Sequence, residues 1–216
     1  RVLDRTLEDF YEGINADPGG RLLADTLGAG RDDRALAALV LEVHGKLQSH
    51  AYPDRWLDEN RAKWAALPDT FDQTPYAAGL RTGVERQAAS WSKIFRAAAE
   101  GTVGDPALYA GYGEKLLAAA DSLDALAEAA GRDWDEAGRM AETVSFPRLT
   151  TPKGRKDDPE LLRLKTLWDG CKADVKKLRT LLSVTGAEAM EDLRAVAPAM
   201  EALLALTGEF SRRYRE

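Results

Sequence analysis

Apolar residues recur along this chain at intervals of three and four, and almost nowhere at intervals of two. That rhythm predicts helices and no sheet. Its clearest stretch is Leu161, Leu164, Trp168, Cys171, Val175, Leu178 and Leu182, a 3-4-3-4-3-4 seam of the coiled-coil kind. Asp158-Pro159 opens that helix, with an N-cap residue followed by a proline where a missing N–H costs nothing. Leu193, Val196, Met200, Leu203, Phe210 and Tyr214 repeat the spacing in a last helix that starts at the capping box Thr185-Gly186-Ala187-Glu188. Thr207 fills its one polar slot, and Pro198 is expected to kink it.

Upstream, helices are expected over Leu3–Ile14, over Arg21–Leu27 between glycine-rich breaks, and after an Asp32-Asp33 cap to about Ala51. Asp54–Leu67 places Leu57 and Trp64 on one face. Thr74-Pro75 and Asp105-Pro106 repeat the cap-plus-proline start, and Asp133 with Glu136 opens a short helix. The fold class is therefore all-α, a multi-helix domain of seven to nine helices. Its two long seamed helices, joined at Ser183–Thr185, are expected to form an antiparallel hairpin about 40 Å long at the C-terminal end. We read residues 1–216 as one helical domain, with a body over 1–143 and a basic loop plus hairpin over 144–216.

With 44% hydrophobic and 31% charged residues, the composition is that of an ordinary globular protein. No apolar run approaches a membrane span, no signal peptide opens the chain, and one cysteine makes no internal disulfide; a cytoplasmic location is expected. The chain begins at Arg1 and stops inside a helical pattern, so we read it as a piece of a larger protein. Chemistry is hard to place. No GxxxxGK[ST] loop is present, His44 and His50 fall on opposite helix faces, and Cys171 lies on the apolar seam as a structural thiol. Acidic pairs such as Asp32-Asp33 and Asp157-Asp158 sit at helix starts, where capping explains them. No nucleophile–base pair, metal or cofactor site can be picked out.

Charge changes the picture. From Arg148 to Leu182 there are ten Lys or Arg against five Asp or Glu, a local +5 inside a chain of −6. The stretch begins as an extended segment bracketed by Pro147 and Pro152, and turns at the basic tip Lys153-Gly154-Arg155-Lys156, expected to be mobile. Lys165, Lys172, Lys176 and Arg179 then form a stripe beside the seam. A basic arm on an acidic body suits the phosphate backbone of nucleic acid, because each cation releases a counterion. The candidate contacts are Arg148, Lys153, Arg155, Lys156, Lys165, Lys172, Lys176 and Arg179. The alternative is a protein–protein module whose lysines pair with an acidic partner.

Three segments carry a resemblance: LVLEVHGKLQSHAYPDRWLD (Leu39–Asp58), SFPRLTTPKGRKDDPELLRLKTLWDGCKADVKKL (Ser145–Leu178) and EDLRAVAPAMEALLALTGEFSRRY (Glu191–Tyr214). They resemble the helical insertion, domain 1B, of the AddA component of the bacterial AddAB ATP-dependent helicase/nuclease, a UvrD/RecB-type superfamily 1 helicase. The resemblance implies a parent that unwinds double-stranded DNA ends with ATP and Mg²⁺. It also implies a nuclease domain, a partner in the form of a second helicase/nuclease subunit, and a role in double-strand-break repair by recombination in the bacterial cytoplasm, at the nucleoid. The phosphate-binding loop would lie upstream of Arg1 and the Mg²⁺-binding acidic motif downstream of Glu216. The fragment itself is then a non-catalytic DNA-binding domain without cofactors, set beside double-stranded or fork DNA. The relatives often have Gly-Lys-Asp where this chain has Gly154-Arg155-Lys156-Asp157, one extra basic residue.

Overall fold

A computed structural model describes residues 1–27 and 34–216. The expected Asp32-Asp33 cap lies outside the described residues. Within them the chain is all-α: α1 (Val2–Gly13), α2 (Pro18–Leu27), α3 (Arg34–Gln48), α4 (Pro53–Ala65), α5 (Pro75–Glu100), α6 (Pro106–Leu108), α7 (Glu114–Arg132), α8 (Trp134–Thr143), α9 (Pro159–Leu182) and α10 (Gly186–Arg215). A π-helical turn, Tyr109–Gly113, joins α6 to α7 so that they run on as one rod. Among the described residues no helix is long and apolar enough to cross a membrane.

The helices start where their chemistry directs. The Thr74 hydroxyl accepts from the Ala77 amide, and the Asp158 carboxylate from the Glu160 amide, each just ahead of a proline. Thr185 and Glu188 form the expected capping box: the Glu188 carboxylate accepts from the Thr185 amide at 2.8 Å, and the Thr185 hydroxyl accepts from the Glu188 amide at 3.2 Å. At α8 only half the box is made. Asp133 caps the Glu136 amide, but the Glu136 side chain turns to Arg132. The second helix begins at Pro18, through the Gly19-Gly20 pair expected to break it, because a proline at the first position has its backbone already set for a helix.

The chain divides into two compact units, residues Arg1–Pro68 with Met190–Glu216, and residues Asp69–Ala189. In the first, Leu7, Leu23, Leu36 and Val40 of α1–α3 bury against Ala199, Leu203, Leu206 and Phe210 of α10. Leu47, Leu57 and Leu204 form a smaller cluster with Trp56 and Trp64 packed on it. In the second unit α5 lies along α7, α7 along α8, and α8 along α9. Small buried residues at the α5–α7 contact, among them Ala77, Ala88, Ala119, Ala120 and Ala130, let the backbones approach closely around Phe95, Leu116, Leu123 and Leu126.

The α9 seam is buried at all seven expected positions. Its cover is not the one expected. Trp168 stacks on Phe95 of α5 with ring centroids 5.6 Å apart, and α9 packs against α5 and α8 within its own unit. Of the expected α10 seam, Leu203 and Phe210 bury against α1–α3, whereas Val196 and Tyr214 are exposed; the buried face runs instead through Ala199, Leu203, Leu206 and Phe210. The antiparallel hairpin of two mutually packed seams is thus corrected. A 3-4 seam specifies an apolar stripe but not which stripe it meets.

Candidate nucleic-acid interface

Between α8 and α9 the chain runs extended from Val144 to Pro152, then turns at Lys153-Gly154. An extended strand without a sheet must satisfy its backbone elsewhere or leave it to solvent. Here three cationic side chains and the π turn fasten it. At its start the Arg179 guanidinium donates to the carbonyls of Ala141 (3.0 Å) and Val144, with Glu142 O at 3.5 Å. These carbonyls belong to the last turn of α8 and the residue after it, so Arg179 caps that helix from α9 and places a positive charge at its negative end. In the middle, Lys115 Nζ donates to the Arg148 carbonyl at 2.7 Å and to the Thr150 hydroxyl at 3.0 Å. The Thr150 amide donates to the Gly111 carbonyl at 3.3 Å, and a Cβ at position 111 would run into the Thr150 carbonyl. The π turn and its glycine are what admit the strand.

The far end is closed by Arg155. Its guanidinium donates to Asp158 Oδ2 (2.9 and 2.6 Å) and to Asp105 Oδ2. Both carboxylates use their other oxygen to cap a helix, Asp105 for α6 and Asp158 for α9. One arginine therefore ties two helix starts together. Arg155 holds the Asp158 carboxyl below its ordinary value, aided by the Glu160 amide. Asp105 is lowered first by the Leu108 amide and then by Arg155. Gly154 completes the turn with φ +78°, the left-handed conformation that the third residue of a type II turn needs, and the Arg155 amide donates back to the Pro152 carbonyl. These bonds give the basic tip the form of a defined turn.

The eight predicted contact residues separate accordingly. Arg155 and Arg179 are half-buried and committed to internal partners. Arg148, Lys153, Lys156, Lys165, Lys172 and Lys176 are exposed, and among the described residues their side chains carry no hydrogen bond or ion pair. Other cations on α9 do find partners: Arg163 pairs with Glu160 and Lys177 with Asp174. Lys165, Lys172 and Lys176 lie on one stripe of α9, with rises of about 10 Å and 6 Å between them. The stripe borders a groove of about 750 Å³ lined by Lys172, Lys176 and Arg179 on one side and Val144, Ser145 and Phe146 on the other, with Glu142 and Asp169 also on its walls.

The structure also places the residues set aside at the sequence level. Cys171 is buried and its thiol is pushed up to about 12, chiefly by burial, with Asp174 adding to it. His44 sits edge-on to Phe210 and Tyr214, while His50 stacks on Trp56 at 5.0 Å. Lys115 escaped the sequence reading. It lies on α7, far from the basic run, and nothing in its neighbourhood along the chain marks it as the strand's anchor.

No family model matches the chain. It is similar to curated AddA proteins, the first-lettered subunits of ATP-dependent helicase/nucleases. That of Desulforudis audaxviator is 31% identical over 97% of this chain and 18% of the relative. That of Alkaliphilus oremlandii is 30% identical over 100% of the chain and 18% of the relative, and that of Heliobacterium modesticaldum 28% over 99% and 17%. The chain thus spans less than a fifth of the length of these relatives.

Proposed function

Because this chain belongs, as a segment, to the AddA family of ATP-dependent helicase/nuclease subunits, we propose that it serves such an enzyme as a non-catalytic accessory domain that holds DNA by its phosphate backbone. ATP, Mg²⁺ and the nuclease chemistry belong to other parts of the parent, which acts with a second subunit on double-stranded or fork DNA in the cytoplasm. One observation carries the reading. Six cations are exposed on the loop and stripe with no partner among the described residues, while the arginines beside them are used to fix the backbone that presents them. A cation kept only for solubility has no need of such a scaffold; a phosphate-contacting one does, because contact geometry depends on a fixed backbone.

The test is binding of a fork, a duplex with one unpaired tail, over a series of salt concentrations. Log K should fall linearly with log salt, and Lys153→Ala with Lys156→Ala should flatten the slope by about 1.8, or 0.9 per phosphate contact. The loss should be the same on every sequence, since backbone contacts carry no base information. A slope that the double substitution leaves unchanged would point instead to a surface that meets the partner subunit.

A further inference from the structure

The groove beside the lysine stripe has two unlike walls, and the difference identifies what it takes. We propose that it binds one nucleotide of an unpaired DNA strand, with the phosphate against Lys172 and Lys176 and the base against Phe146. The proposal rests on the DNA-holding role above and deepens it, by assigning this groove to the unpaired strand of the fork and the tip to the duplex.

At about 750 Å³ the groove falls within the range of small-ligand sites. Lys172 and Lys176 stand one helical turn apart on its rim, about 6 Å along the axis, both exposed and, among the described residues, unpaired. Opposite them the Ser145 and Phe146 amides have no backbone partner and the Ser145 hydroxyl no hydrogen bond among the described residues. Two ammonium groups lining the same groove as N–H and O–H donors that have no partner among the described residues make an arrangement for an anion. Phe146 supplies the apolar part: it is anchored edge-on to Trp168 at 5.2 Å and 82°, yet still lines the groove. Glu142, on α8, repels a phosphate, while Asp169 lies on α9 three residues before Lys172, on the lysine side itself, which favours a phosphate nearer Lys176. Arg179, 3.9 Å from Glu142, offsets part of that repulsion. A base that is paired and stacked in a duplex cannot turn its face to Phe146. A base in a single strand can, and stacking on an aromatic ring beside a cationic track is how such strands are held.

The experiment titrates the chain with a fluorescein-labelled oligothymidylate and, separately, with a blunt duplex, across salt. Lys172→Ala with Lys176→Ala should lower the salt slope on oligothymidylate by about 1.4, or 0.7 per contact, and leave the duplex slope in place. Lys153→Ala with Lys156→Ala should do the reverse. An oligonucleotide carrying 5-iodouracil should photocrosslink to Phe146, and Phe146→Leu, which keeps apolar bulk over Trp168, should abolish the adduct and weaken oligothymidylate binding roughly fivefold or more. If the groove pair changes both slopes alike, or the crosslink forms elsewhere, the groove assignment is wrong while DNA holding stands. If the unsubstituted chain binds neither DNA in a salt-dependent way, both readings fall together.

Discussion

The turn at Pro152–Asp158 and the middle of α9 carry charge of the same sign in opposite ways. In the turn, Arg155 reaches two carboxylates, and both already cap helices. On α9, Lys165, Lys172 and Lys176 reach nothing among the described residues. The difference follows from the side chains. A guanidinium is a planar fork that can serve several acceptors at once, so it suits a fixed junction of helix ends. An ammonium on a flexible stem is a point charge that stays hydrated until a ligand arrives. Basic density alone therefore does not mark a binding surface; what distinguishes the proposed one is the part of that density left without partners among the described residues.

The comparison breaks most severely at the core beneath both regions. Trp168→Ala removes the ring between Phe95 and Phe146 and should destabilise by about 3–5 kcal/mol. Thermal unfolding measures it, and a shift of only a degree or two would mean that the ring does not support either region. Gly154→Ala acts on the turn alone. It forces a side chain into φ +78° where no neighbour obstructs it, so the cost is conformational, about 1–2 kcal/mol. Denaturant midpoints would show it, and a neutral outcome would mean the turn can re-form without the left-handed residue.

Acid should separate the two regions without any mutation. Asp158 and Asp105 titrate below their ordinary value of 3.8 in the folded chain. Their contribution is thus complete above that value and lost as pH falls through the lower folded one. Amide exchange over 152–158 should rise below about pH 4, and Arg155→Met should give a similar rise at neutral pH. Among the described residues Lys165, Lys172 and Lys176 carry no carboxylate partner whose protonation matters, so exchange in the middle of α9 should not follow. The smallest effect is expected from Lys172→Ala with Lys176→Ala: stability within about 0.5 kcal/mol, because both side chains are in solvent. A larger loss would mean that these lysines, like the arginines, hold structure.

Much of this molecule is legible one helix at a time. The buried face of α9 is the one its spacing indicates, Leu161 through Leu182, and Thr74, Asp105, Asp133 and Asp158 cap the helices they were expected to open. Those features depend on hydrogen bonds and side-chain periodicity within a few residues, which is why sequence alone determines them. Partner choice does not work at that range. Which helices cover the α9 seam is set by which apolar faces close with the least void; α8 and α5 do so, a choice not written in the seam itself. The candidate site divides the same way. Its lysines could be named from a run of letters, but Arg155 was claimed by Asp105 from 50 residues away and Arg179 by carbonyls 35 to 38 residues away. Lys115 became the anchor of a strand 33 to 35 residues further on. A basic side chain has the same chemistry free or engaged, so only the tertiary structure, by setting which acceptors come within reach, decided which of them remain for a ligand.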